Sequence, residues 1–235
     1  MALLDGKRTF LKLARSVWSA VATAGCAMKL YGMKESGNCW KAATVLALTG
    51  HAFEWMHTDG NAGSTQTPEF LALNPIGKVP ALVLDDGIVL AESNAILLHF
   101  GEGTKWLPLP GLERTRVHEW LFFEQYSHEP YIAVARNLIT WQRKSHVFRD
   151  RLEECARKGA HALNVMERRL SDHEWLVGEA PTIADLALFA YTHRADEGEF
   201  ELARWPGVLS WVSRVAKLPG LTTLPRPDEM GRRAS

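Results

Sequence analysis

Residues 101–111 divide the chain into two stretches that fold by different rules. Gly101, Gly103, Pro108, Pro110 and Gly111 crowd into this segment, and neither a helix nor a strand runs through so many backbone breakers. Before it, short apolar runs alternate with helical periodicity. Residues 28–32 read as a strand ended by Gly32, residues 36–49 as a helix stopped by Gly50, and residues 52–58 as a second strand. Thr67-Pro68-Glu69 opens a short helix with proline at its first position. The runs 81–84 and 88–90 flank Asp85-Asp86-Gly87, a hairpin signal, and residues 92–100 are helical again. The order βαβ-α-ββα makes a small α/β unit. Beyond residue 111 no strand is evident. Helices are expected at 112–128, stopped near Pro130, at 148–170, from Thr182 onward, and at 205–218. Thr182 with Asp185 three residues later is a capping-box variant.

Composition narrows the functions such a chain can have. Lys+Arg and Asp+Glu both number 27 in 235 residues. A neutral chain lacks the surplus charge with which general nucleic-acid binders neutralise phosphates. An apolar content of 46% suits a packed core rather than disorder. The three cysteines are widely spaced, with no C-x-x-C and no Cys/His cluster. Neither a disulfide framework nor a metal site is expected, and a reducing, cytoplasmic setting is. No apolar run reaches the ~18 residues of a membrane span, so no membrane association is expected. Residues 1–27 stand apart. Lys7, Arg8, Lys12 and Arg15 precede an apolar stretch, a pattern shared by secretion signals and by frayed helical extensions. The segment is read as an N-terminal extension preceding Met28.

Four local features carry chemistry. Ser36-Gly37-Asn38-Cys39 follows the first strand at a helix start. Free N–H groups and partial positive charge there stabilise an anion such as a thiolate, and a serine can add a hydrogen bond or simply cap the helix. In Asn74-Pro75-Ile76-Gly77-Lys78-Val79-Pro80, the proline precedes a strand. Its bond is ordinarily trans; a cis bond would turn the Val79 main chain outward toward a ligand. Glu92 and Ser93 enter a helix, where they can hold an amino-acid end or cap. Gln66, in a polar loop, can donate to a carboxylate.

In this order, the features resemble one family. Residues 28–221 look like a bacterial, serine-type member of the cytosolic glutathione S-transferases. The resemblance rests on Ser36-Gly37-Asn38-Cys39-Trp40-Lys41, the block from Pro68 through Val79-Pro80-Ala81-Leu82, Glu92-Ser93-Asn94-Ala95-Ile96-Leu97, and Thr182-Ile183-Ala184-Asp185. It implies an α/β thioredoxin-like N-terminal domain over 28–103, an all-α helical domain over 112–224, and a tail over 225–235.

The resemblance also implies roles. Ser36 would activate the sulfur of glutathione, the co-substrate. Val79 would pair with the peptide backbone through its own main chain, ahead of a cis proline. Glu92 and Ser93 would hold the γ-glutamyl end, and Gln66 and Lys78 the glycyl carboxylate. The expected activity is conjugation of a hydrophobic electrophile, as in detoxification. Glutathione-dependent reduction on the same site, or binding without catalysis, are the alternatives. Residues 119–131 would wall the second-substrate pocket, with Tyr126 and Glu129 placed at it. Tyr31 reads as a packing aromatic and Cys39 as a structural thiol. A homodimer is expected, twofold dimers being the commonest oligomers.

Overall fold

The structure, a computed structural model, describes residues 28–231. The N-terminal extension 1–27, with its basic and then apolar pattern, therefore lies outside the described residues. The first unit holds β1 (Lys29–Gly32), α1 (Gly37–Leu48), β2 (Glu54–His57), α2 (Pro68–Leu73), β3 (Ala81–Val83), β4 (Val89–Ala91) and α3 (Ser93–Gly101). Its sheet runs β2-β1-β3-β4, with β1 parallel to β2 and antiparallel to β3. Leu30 pairs with Trp55 on one side and Leu82 on the other, which places two fully buried leucines at the centre of the sheet. This is a thioredoxin-like half followed by a helical half.

The helical half holds α4 (Leu112–Phe123), α5 (Glu129–Arg136), α6 (Arg149–Leu170), α7 (Ile183–Thr192) and α8 (Pro206–Val215). Helix α7 is buried along its whole length, so its residues are apolar all round rather than striped. Its start is a capping box: Thr182 accepts from Ala184 N–H, and Asp185 accepts from Thr182 N–H at 2.8 Å. The other Asp185 oxygen accepts from Leu176 N–H and Trp211 Nε1. With the Thr182 hydroxyl, which donates at 3.3 Å, four donors satisfy a buried carboxylate, as burial demands.

The expected stop near Pro130 does not occur. Residues Glu124–His128 form a π turn, and α5 starts directly after it with Pro130 inside its first turn. There the missing proline N–H breaks no helical bond. A second π turn, Asn137–Trp141, extends α5. The C-terminal segment returns to the first unit. Trp40 Nε1 donates to Thr222 O at 2.7 Å, and Arg226 pairs with Asp196 at 2.9 Å. Trp40, Phe189, His193 and Trp211 form one aromatic cluster where the two halves meet.

Candidate functional site

Ser36 caps α1, its Oγ accepting from Cys39 N–H at 3.3 Å. An acceptor used this way leaves the O–H proton free to donate to another group. Tyr191, from α7, lies over the same helix start. Its hydroxyl accepts from Asn38 N–H at 3.3 Å. Burial, then the Glu129 charge, pushes the Tyr191 phenol up, so it stays neutral. A Cβ on Gly37 would lie 2.6 Å from the Tyr191 ring; only glycine admits this approach. Trp40 N–H is also taken, by Ser36 O.

Two adjoining cavities meet here. One, of about 370 Å³, is lined by Ser36, Gly77, Arg136, Trp141 and Tyr191 among others. The second, of about 320 Å³, is lined by Asn38, Asn74, Pro80, Glu92, Ser93 and Gln125. Lys78, Val79 and Glu129 line both. The Val79–Pro80 bond is cis.

A polar network behind the second cavity ties the halves together. Lys41 and Glu124 form an ion pair at 2.7 Å with both side chains fully buried. Lys41 Nζ also reaches Asn94 Oδ1 at 3.3 Å and Ser93 Oγ at 3.5 Å. Asn94 Nδ2 donates to Glu124 at 3.0 Å, as does Gln125 at 2.7 Å. Ser93 Oγ donates to Asn38 Oδ1 at 3.2 Å, and Asn38 Nδ2 donates to Glu129 at 3.3 Å. Burial, with Glu124 adding to it, raises the Glu129 carboxyl pKa, while Lys41 and the Asn38 bond oppose the rise. Glu92 is exposed at the α3 start with φ 66°, a left-handed conformation uncommon for a non-glycine residue. Such strain is found where a side chain is aimed at a ligand.

Ser36, Lys78, Val79, Glu92, Ser93 and Glu129 therefore converge on one cleft. Gln66 does not line it: its amide donates to Gly77 O at 3.1 Å and braces the loop beside it. Tyr126 is not brought to the cleft either. It is 84% exposed, because the π turn points it away from α5's inner face. The aromatic wall expected from 119–131 is likewise elsewhere. Trp120 and Phe123 line a separate cavity of about 580 Å³ against α6, and Phe122 is 74% exposed. Instead Glu129, Ala133, Arg136 and Asn137 face the cleft at helical spacing. Arg136, Asn137 and Glu35 make this half more polar than the apolar pocket expected from sequence.

Cys39 is fully buried, with Met33 N–H on its Sγ at 3.4 Å. Burial pushes its thiol up to about 11, so it holds its proton at neutral pH and is inert. Tyr31 lies in a different cavity, edge-on to Phe70 at 6.3 Å. Sequence reasoning missed Tyr191, Arg136 and Trp141. No spacing signal marks them, because each reaches the site only through helix packing. The Lys41–Glu124 pair carried a faint signal, a lysine on the face α1 buries. Among the described residues no cluster of three or more His, Cys, Asp or Glu could hold a metal, and no helix is long and apolar enough to cross a membrane.

Fold and cleft define a class: a thioredoxin-like unit whose helix start faces a peptide-sized groove roofed by an all-helical domain. Comparison with known proteins narrows it. The glutathione S-transferase N-terminal domain model matches residues 26–102, and the C-terminal domain model residues 126–219. A crystal structure of a glutathione S-transferase from Xanthobacter autotrophicus Py2 is 66% identical, with TM-score 0.85, covering 86% of this chain and 99% of that one. Glutathione S-transferase 3 of Zea mays is 33% identical, covering 82% of this chain and 90% of its own length. Ure2p in complex with glutathione has TM-score 0.74 at 27% identity, covering 83% and 96%. This chain belongs to the glutathione S-transferase family.

Proposed function

We propose that the protein binds glutathione in the paired cavities and activates its thiol for attack on an electrophile. The observation that carries this is the convergence of Ser36, at the start of α1, with Val79, Glu92 and Ser93 around one cleft. The γ-glutamyl end lies against Glu92 and Ser93, whose carboxylate and hydroxyl suit an ammonium and a carboxylate. The cysteinyl unit pairs with the Val79 main chain, and Lys78 takes the glycyl carboxylate.

The sulfur then reaches the α1 start. Ser36 donates its O–H to sulfur, and the helix dipole favours the anion. A free thiol near pKa 8.5 needs a drop of only about 1.5 units to be half ionised at pH 7, which is ~2 kcal/mol. The thiolate attacks the electrophilic carbon, forming the C–S bond as the leaving group departs or the acceptor is protonated. Holding both reactants in the cleft supplies the remaining rate advantage.

Calorimetric titration with glutathione, followed by thiol consumption with an activated aryl halide, tests this. One site per chain and saturable turnover are expected. Glutathione binding without turnover of any electrophile would leave a binding protein, and no binding at all would overturn the reading. A homodimer is part of the proposal. The exposed Phe122 and Tyr126 put aromatic surface on one side of the helical domain, and light scattering should report about twice 26.3 kDa.

A further inference from the structure

Arg136 is the group in the cleft whose bonding is incomplete. It lies near the end of α5, is 3% exposed, and lines the cavity that holds Ser36. Its Nε donates to Glu197 Oε2 at 2.8 Å, and its Nη1 donates to the Glu35 carbonyl at 2.7 Å. Its Nη2 is buried and has no hydrogen-bond partner. The Trp141 ring lies 5.1 Å from the guanidinium carbon; it offers a π face and no acceptor atom. Leaving a charged donor buried and unpaired is costly, and a protein retains such a group where a ligand completes it.

The guanidinium's own charge sets the sign of that ligand, because the N–H of a cation is best completed by an anionic acceptor. Glu197 is shared by three guanidinium groups: Arg136, Arg194 at 3.8 Å and Arg226 at 3.6 Å. Asp196 answers Arg226 at 2.9 Å. Glu229, which acts on Arg194 and Arg226 and accepts from the Arg226 main-chain N–H at 2.8 Å, brings the carboxylates to three, so the cluster behind the cleft wall is charge-balanced while Arg136 Nη2 keeps an unmade bond. Two carboxylates face the same cavity: Glu35, which has interactions of its own, and Glu129, which accepts from Asn38 Nδ2 at 3.3 Å. The α1 start adds the positive end of a helix dipole to the same cavity.

We infer that Arg136 is a specificity-determining residue of the second-substrate subsite, and that the preferred electrophiles carry a carboxylate, which accepts from Arg136 Nη2. The reacting carbon then lies between the carboxylate and Ser36, where the glutathione sulfur arrives. Trp141 and Tyr191 flank it as the aromatic walls. This inference rests on the glutathione reading above and names its substrate class. The bond made is charge-assisted and bent toward anions, so a neutral isostere gains less from the same position.

The test uses conjugates, so that no turnover is needed. Binding of S-(4-carboxybenzyl)glutathione, S-benzylglutathione and glutathione to the full chain is compared by calorimetry. The carboxylate conjugate should bind about tenfold more tightly than the benzyl conjugate, the gain of one charge-assisted hydrogen bond. In Arg136→Gln and Arg136→Lys that preference should shrink toward unity, while glutathione affinity is unchanged. Arg136→Lys keeps a cation for Glu197 and guards against unfolding of the glutamine variant. Equal affinity of wild type for the two conjugates, or a preference that survives both substitutions, overturns the inference and leaves the glutathione reading standing. Failure of glutathione itself to bind overturns both.

Discussion

The two halves of the cleft are built on opposite principles. Around Glu92 and Ser93, the side chains behind the wall bond one another: Asn38, Lys41, Ser93, Asn94, Glu124 and Gln125 form one connected network. Around Ser36, bonds are left to be made: a capping hydroxyl with a proton to give and a buried guanidinium with a vacant N–H. A closed network holds geometry, because moving any member strands a buried polar group. An open one does chemistry, because its missing partner is the ligand. Under the proposed function, the half around Glu92 and Ser93 is the rigid one and the half around Ser36 is the one left to be completed by a ligand.

The sharpest way to break this contrast is to remove the charge that closes the network. Lys41→Met leaves Glu124 buried without its cation. Such a change should cost ~3–5 kcal/mol, read by denaturant unfolding. Adding Glu124→Gln should return part of it, since the residual charge goes. A Lys41→Met protein as stable as wild type would show that packing, not the pair, joins the halves. The mirror experiment acts on the open half. Ser36→Ala should cost only about 1 kcal/mol of stability, the loss of a helix cap, yet lower kcat/KM by up to ~10³, the scale of losing one donor to a developing anion. The pKa of bound glutathione, read from thiolate absorbance, should rise. An unchanged pH profile would remove Ser36 from the mechanism.

Acid probes the closed half and its aromatic neighbour. Burial holds His128 down at about 4 and His193 at about 3. Both are neutral in the fold, while in the unfolded chain they take up protons below about 6.5. The unfolded state then binds more protons, so stability falls as pH drops below 6.5 and keeps falling toward 4. Each histidine contributes one proton of slope, and the pair should cost roughly 3 kcal/mol by pH 5.5. Unfolding curves that superimpose at pH 7 and 5.5 would contradict this. Smaller still is Ser93→Ala. Losing a hydroxyl that bonds Asn38 and meets the ligand should weaken glutathione binding by ~1–3 kcal/mol. Wild-type affinity in that variant would move the γ-glutamyl end elsewhere.

What could be read in the chain beforehand follows the same division. Ser36, Val79, Glu92 and Ser93 sit at element junctions, and junctions announce themselves through capping residues, glycine and proline. The sheet unit was legible because each strand is bounded by such residues. The helical contribution was not, since Arg136, Trp141 and Tyr191 reach the cleft from helix interiors. Which face a helix presents depends on phase, and the π turn at Glu124–His128 resets that phase just before α5. That is why Glu129 arrived at the cleft and Tyr126, three residues earlier, did not. Pro130 misled for a related reason, acting as an entry residue where a stop was expected.

The smallest expected effect concerns Cys39, one helical turn from Ser36 and the rival nucleophile by position. Its sulfur has no exposure, accepts from Met33 N–H, and faces Gly32, where an added Cβ would lie 2.8 Å away. With its pKa near 11, about one molecule in 10⁴ carries the thiolate at pH 7. Cys39→Ala should therefore leave turnover within about twofold and cost only the packing of a small side chain, ~1 kcal/mol. The linkage runs opposite to that of the histidines. The unfolded thiol ionises near 8.5 and the folded one near 11, so above pH 8.5 the folded state binds more protons and stability declines with rising pH. In Cys39→Ala that part of the alkaline decline should vanish. Alkylation by iodoacetamide at pH 8 supplies the complementary readout. Protection of Cys39 in the native protein and rapid labelling after denaturation would fit a buried thiol. Fast native labelling with matching loss of activity would transfer the catalytic role from Ser36 to Cys39.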